Sequence, residues 1–142
     1  MTEEAKILEE IRQNVEMGID GINTVRKKVK NEQMLALLDS QRDEYRSILA
    51  EAGSRLDAIN APVESSASAG KMYAKMFSAA KTLVYSCDSE IAEDMIKGTT
   101  TGISKIVRRL NDSCQISGDT RGFAEKLVKT EEKNVEDLKK FL

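Results

Sequence analysis

The chain has 142 residues, 32% of them charged and 4% aromatic, with one proline, no tryptophan and a net charge of −2. That length predicts one domain burying roughly two-thirds of its unfolded surface, and so charged and aromatic-poor a composition predicts helices rather than sheets. The near balance of charge supplies no general attraction to nucleic acid or anionic lipid, and Cys87 and Cys114 have neither metal-ligand spacing nor the density of a disulfide scaffold.

The acidic start Met1-Thr2-Glu3-Glu4 has no apolar signal core, and no stretch approaches the ~18 apolar residues of a membrane span. A cytoplasmic protein with reduced thiols is expected. Thr2 is placed to cap a first helix, with Glu3 and Glu4 complementing its dipole. The apolar stripe Leu8, Ile11, Val15, Gly18, Ile22, Val25, Val29 alternates steps of three and four, the spacing of nearly parallel bundle packing. Asn31 ends that helix and caps the next, whose stripe is Met34, Leu38, Gln41, Tyr45, Ile48, Ala52 and Ile59. Ile22 pairs with Leu38, Gly18 with Gln41, Val15 with Tyr45 and Ile11 with Ile48, as an antiparallel hairpin turning near residue 30 requires. Pro62 and the small, polar run after it read as a linker.

A third helix is predicted over Lys71–Tyr85. Met72, Tyr73, Met76, Phe77, Ala80, Leu83 and Val84 share one broad face, and Lys71, Lys75, Ser78 and Lys81 the other. If it ran on into the next helix the rod would span ~65 Å, against ~40 Å for the first helix, so a break is expected near Ser86–Ser89. Asp88 and Ser89 are the candidate caps beyond it. The fourth helix carries Ala92, Ile96, Thr99, Ile103, Ile106 and Leu110. A loop over Asn111–Gly122 leads to a fifth, with Ala124, Val128, Glu131, Val135, Leu138 and Leu142.

The two halves repeat each other. Met17-Gly18-Ile19-Asp20-Gly21-Ile22, followed by Val25-Arg26-Lys27-Lys28-Val29, matches Gly98-Thr99-Thr100-Thr101-Gly102-Ile103, followed by Ile106-Val107-Arg108-Arg109-Leu110, at an offset of 81. Leu38, Gln41, Tyr45 and Ile48 match Val128, Glu131, Val135 and Leu138 at an offset of 90. The pattern predicts a duplicated helix pair. One domain, 1–142, then holds a hairpin over 2–60, a linker and crossover helix over 61–87, and a second hairpin over 88–142. Leu8, Ile11, Val15, Ile22, Leu38, Ile48, Ile96, Ile103, Ile106, Val128, Val135 and Leu138 are its expected core.

Two antiparallel hairpins joined by a long crossover resemble the ferritin-like superfamily, in particular bacterial four-helix-bundle members. The resemblance implies an all-α ferritin-like four-helix bundle with an additional crossover helix. In di-iron members two helices each supply a Glu and the other two a Glu-x-x-His. Those motifs would fall here at Gln41-Arg42-Asp43-Glu44 and Glu131-Glu132-Lys133-Asn134, and the lone Glu positions near Gly18 and Thr99. The chain has no histidine, and of these six positions only Glu44 and Glu131 keep a carboxylate. The resemblance therefore implies the fold and argues against the iron chemistry. Were a metal bound, Glu131, Glu44, Gln41 and Asn134 would be its ligands.

Gln41 and Glu131 interrupt apolar stripes at equivalent positions. One reading makes them a buried polar centre with Tyr45 and Thr99 that fixes helix register; the other makes them an altered metal site. Gly18, Gly21, Gly98 and Gly102 each cost a helix ~1 kcal/mol relative to Ala, which points either to close packing or to a small-ligand cavity at mid-bundle. Met72, Tyr73, Met76 and Phe77 form a candidate interaction face that covers the bundle and a dimer partner. A membrane surface is a weaker fit, given three lysines and a negative chain. Arg26-Lys27-Lys28, Lys30 and Arg108-Arg109 sit in last turns, where cations complement a helix end, and no interleaved aromatics support nucleic-acid binding. Cys87 is expected buried on the third helix and Cys114 exposed in its loop. Without histidine no Ser/His or Cys/His pair exists, and no glycine-rich phosphate loop follows a strand. The expected function is a non-enzymatic structural or interaction module that self-associates as a homo-oligomer, with no cofactor and no nucleic-acid partner. The alternative is a carboxylate site for iron or another divalent metal, with an oxidoreductase or storage role.

Overall fold

The computed structural model describes residues 1–61 and 84–142. Among them are four helices and no strand: α1 (Glu3–Val25), α2 (Glu32–Ala58), α3 (Asp88–Asp112) and α4 (Gly118–Lys139). The helix predicted over Lys71–Tyr85, with Met72, Tyr73, Met76 and Phe77, lies outside the described residues except for Val84 and Tyr85, which are not helical.

The caps explain most of the boundaries. Thr2 Oγ1 accepts the Ala5 N–H at 3.1 Å, and Asn31 Oδ1 accepts those of Gln33 and Met34 at 2.9 and 3.0 Å. Between them α1 tightens into a 3-10 turn over Arg26–Lys28. Asn60, in the left-handed region at φ 50°, ends α2. The N–H groups of Ala61 and Asn60 return to the carbonyls of Leu56 and Asp57, the paired bonds of a Schellman stop. The chain therefore turns before Pro62. At α3 the expected caps do not cap: the N-cap residue is Cys87, without a side-chain bond, and Asp88 is already helical. Ser86 instead bonds the Glu90 carboxylate through its N–H (3.0 Å) and hydroxyl (2.7 Å). Ser117 Oγ caps α4 by accepting the Thr120 N–H, so α4 starts inside the segment expected to be loop.

Four ties set the directions of the helices. Asp88 accepts the N–H groups of Lys30 (3.0 Å) and Asn31 (2.7 Å), joining the start of α3 to the end of the first hairpin's turn. Arg109 Nε donates to Glu10 at 2.6 Å, joining the end of α3 to the start of α1. Glu3 accepts the Gln115 N–H, while Glu4 accepts from Ser117 and Thr120, which fastens the α3–α4 loop to the start of α1. Arg55 near the end of α2 reaches Asp119 at 3.0 Å. The order is thus up, down, down, up, and the connection from α2 to α3 joins opposite ends of the bundle. Glu3 and Glu4 act here as clasps as well as first-turn acids. Burial pushes the Glu4 carboxyl upward, but hydrogen bonds from Thr120 and Ser117 outweigh it and leave the group below its usual range.

Eight of the twelve expected core residues are buried: Leu8, Ile11, Val15, Ile22, Leu38, Ile48, Ile106 and Leu138. Ile96, Ile103, Val128 and Val135 are only half-buried. All four belong to the second hairpin, whose inward lines run one residue earlier, through Met95 and Gly102 on α3 and Leu127 and Asn134 on α4. Phe123 and Leu127 are buried, Val128 packs half-buried against the core beside them, and Leu142 is exposed. Cys87 is exposed as well, since Val84–Cys87 are outside any helix; Cys114 is exposed in its loop.

Candidate functional site

A groove of about 730 Å³ runs between α1 and α3. Roughly 300–1,000 Å³ is the range of small-molecule sites, so its size alone admits an organic ligand. Gly18 and Gly21 of α1 and Gly98 and Gly102 of α3 line it, with Tyr45 of α2 and Glu131 of α4 among the residues beneath. The glycines do three different jobs. A Cβ on Gly18 would stand 2.7 Å from Cε2 of Tyr45, so this position is bare to seat the phenol ring. A Cβ on Gly102 would stand 2.8 Å from Asn14 Nδ2 and 3.5 Å from Glu131 Oε2. Gly98 has nothing within 4 Å in the direction of its missing side chain, so it widens the groove. The packing and cavity readings of the sequence thus apply to different members of the set.

Beneath the groove the polar side chains form a directed chain. Asn134 Nδ2 donates to the Tyr45 hydroxyl at 3.2 Å, and that hydroxyl donates to Glu131 Oε2 at 3.3 Å. Glu131, Tyr45 and Asn134 are all buried. Glu131 Oε1 and Asn14 Nδ2 are buried too; the Asn14 amide faces the Glu131 carboxyl, and neither atom finds a further partner among the described residues. Burial raises the Glu131 carboxyl to about 7, against the pull of the Asn14 amide and the Tyr45 hydroxyl facing it. The same burial, reinforced by the neighbouring carboxyl, raises the Tyr45 phenol and keeps it protonated across the physiological range. The site therefore holds a carboxyl poised near neutrality beside a permanent hydroxyl donor and an amide.

Tyr45, Thr99 and Glu131 are all buried and all line the groove. Gln41 does not meet Glu131: it is buried, but its Nε2 donates to the backbone carbonyl of Asn134 at 3.4 Å. Thr99 closes on its own helix, donating to the Met95 carbonyl at 2.7 Å. Glu44 is exposed, accepts from Thr130 at 3.4 Å, and sits among Lys126, Lys129 and Lys133 in a separate shallow depression. Asn14 was missed. It follows Ile11 by three and precedes Gly18 by four, so one helical line already joined it to the glycine. Arg26 and Arg109 sit in last turns as expected and also hold Asp39 (2.9 Å) and Glu10.

Comparison with family models, curated proteins and solved structures returns no match to this chain.

The donor set does not suit the iron that the ferritin-like resemblance raises. Among the described residues Glu131 is the one carboxylate at the network, facing amides and a phenol that stays protonated, and Glu44 lies elsewhere. The di-iron sites of that class are built from several carboxylates with histidine imidazoles. Among the described residues no three of His, Cys, Asp and Glu converge as a metal cluster. In the same residues no helix is long and apolar enough to cross a membrane.

Proposed function

We propose that this chain is a non-enzymatic binding module on a ferritin-like bundle, and that it receives a small molecule in the groove between α1 and α3. The observation that carries the reading is the groove itself, widened by a glycine at 98 that no packing neighbour requires. In a helix interior such a glycine costs ~1 kcal/mol relative to Ala. The ferritin-like assignment is supported by the up-down-down-up order with one end-to-end connection, the connectivity of that class. A role in binding rather than catalysis is supported by the chemistry beneath the groove, where one carboxyl has only amides and a phenol around it.

Gly98→Phe tests the reading. A Cβ at 98 meets nothing within 4 Å and opens onto the groove, so the ring should enter it with folding unharmed in urea denaturation. Small aromatic fragments detected by saturation-transfer NMR on wild type should lose their signal on the variant. Fragment binding indifferent to Gly98→Phe would overturn the proposal. Self-association as a dimer belongs to the same reading, and light scattering across a concentration series tests it; a strict monomer would remove that part. Metal analysis of protein purified without chelator tests the carboxylate-metal alternative.

A further inference from the structure

The charges that line the groove are unevenly answered. Lys6 of α1 and Lys105 and Arg108 of α3 reach it at one end, where Arg109 near the end of α3 is joined to Glu10 near the start of α1. None of the three makes an ion pair or a side-chain hydrogen bond among the described residues. The acids are mostly taken. Glu9 is held by Arg12 and Glu10 by Arg109, while Asp94, toward the other end, accepts the Tyr85 hydroxyl. Glu131 is buried and faces Tyr45 and Asn14. Asp112, four residues beyond Arg108, is the one acid of the basic end without a partner among those residues. Three open cations against one open acid leave that end positive. Lys105 is half-buried, whereas Lys6 and Arg108 are exposed, so water screens its charge least. It lies seven residues, ~10 Å, along α3 from the open Gly98. Between Lys105 and Asp94 the lining residues Gly102, Thr101, Gly98 and Met95 of α3, and Met17 and Gly18 of α1, carry no charge.

We infer that the groove takes a carboxylate carried on an apolar body, the carboxylate at Lys105 within the field of Lys6 and Arg108, and the body laid toward Gly98 against Met17 and Met95. A cation would meet three charges of its own sign at that end, and at the other an acid that already has a donor. A neutral molecule would leave the cations unanswered. A dianion would bring its second charge against Asp112. The methionines suit an apolar body of no fixed shape, since an unbranched thioether repacks readily. This inference rests on the groove being the binding site, and its test is built to fail separately from that reading.

Three probes of one shape separate the chemistries: 3-phenylpropanoate, 3-phenylpropanol and 3-phenylpropylammonium, titrated into the full chain at neutral pH and low ionic strength by saturation-transfer NMR. The carboxylate should bind tightest, lose its site in Gly98→Phe, and weaken with added salt while the alcohol does not. Lys105→Met should weaken it about fivefold, the weight of one partly screened ion pair, and leave the alcohol unchanged. Lys105→Glu should reverse the order of carboxylate and ammonium, which a merely structural lysine would not do. Melting temperatures of each variant confirm that the bundle is intact. The alcohol binding as tightly as the carboxylate, with Lys105→Met without effect, overturns the inference and leaves an apolar groove. The ammonium preferred by wild type overturns it and makes Asp94 and Asp112 the deciding charges. A preferred carboxylate indifferent to both Lys105 variants overturns its placement at this end. None of the probes binding, or binding that Gly98→Phe does not touch, overturns the groove reading and the inference together.

Discussion

The two hairpins carry the same spacing of glycine and apolar residues, yet they use the space differently. In the first, Gly18 admits the ring of Tyr45 from its own hairpin, and the gap is closed by an aromatic. In the second, Gly102 faces Asn14 from the other hairpin and Glu131 from its own, and the space holds polar atoms without complete partners. The repeat equivalents at the centre are Gln41, which finds a backbone carbonyl, and Glu131, which stays half-satisfied. A duplicated pattern of sizes thus supports a packed half and a half that keeps polar capacity in reserve.

The carboxyl is the sharpest difference, and making the second hairpin like the first should have the largest effect. Glu131→Gln gives the second hairpin the neutral amide of the first. The native carboxyl, raised from its usual 4.5 to about 7, keeps its proton through a range in which the unfolded chain has lost it. Native protein then binds more protons than unfolded, so wild-type stability should fall as pH rises from about 4.5 to about 7 and level off above. The drop attributable to this group is on the order of 3 kcal/mol. Urea denaturation from pH 4.5 to 8.5 should show the variant lacking that fall and surpassing wild type at high pH. Parallel profiles would mean that Glu131 is not held in the environment described.

Gly18→Ala attacks the closed half. The new methyl would stand 2.7 Å from one ring carbon of Tyr45 and 2.9 Å from another. A buried ring cannot yield as a chain end does, so overpacking of ~1–3 kcal/mol should exceed the ~1 kcal/mol gained in helix propensity. A net loss of about 1–2 kcal/mol in denaturant midpoint is expected. Tyr45→Phe, which keeps the ring and removes the hydroxyl, should cost about 1 kcal/mol. It strands the Asn134 amide and takes a donor from Glu131, so the carboxyl should titrate higher still, a shift that carbon-13 NMR of the glutamate carboxyl can follow.

How legible all this was in the sequence differs between the halves for a physical reason. In the first hairpin the stripe holds branched aliphatics at nearly every inward position, so Leu8, Ile11, Val15, Ile22, Leu38 and Ile48 could be placed by spacing alone. In the second, two adjacent lines were available on each helix. Ile96 and Ile103 competed with Met95 and Gly102, and Val128 and Val135 with Leu127 and Asn134. Hydrophobicity favours the β-branched lines, but the hydrogen bond Asn134 makes with Tyr45 and the bulk of Phe123 and Leu127 favour the others. Glu131 lies on both lines, which is why the buried carboxyl was legible, with Tyr45 beside it, while Asn134 and Asn14 were not. The caps at Thr2 and Asn31 were readable because the side chain acts on its own helix. Asp88 was not, because its partners are 57 and 58 residues away in sequence.

The smallest effect is expected where the same glycine-to-alanine change meets the open half. A Cβ on Gly102 would come 2.8 Å from Asn14 Nδ2, as close in distance as the clash at Gly18. The atom it meets, however, is the far end of a flexible side chain rather than a ring carbon. The ~1 kcal/mol of helix propensity should offset the displacement, leaving Gly102→Ala within about 0.5 kcal/mol of wild type. Its signature lies in the titration instead. Moving Asn14 takes away the larger of the two contacts that hold the Glu131 carboxyl down, so the pH-dependent loss of stability should extend to higher pH than in wild type. A Gly102→Ala loss as large as that of Gly18→Ala would mean that Asn14 is fixed in place and that both halves are packed alike.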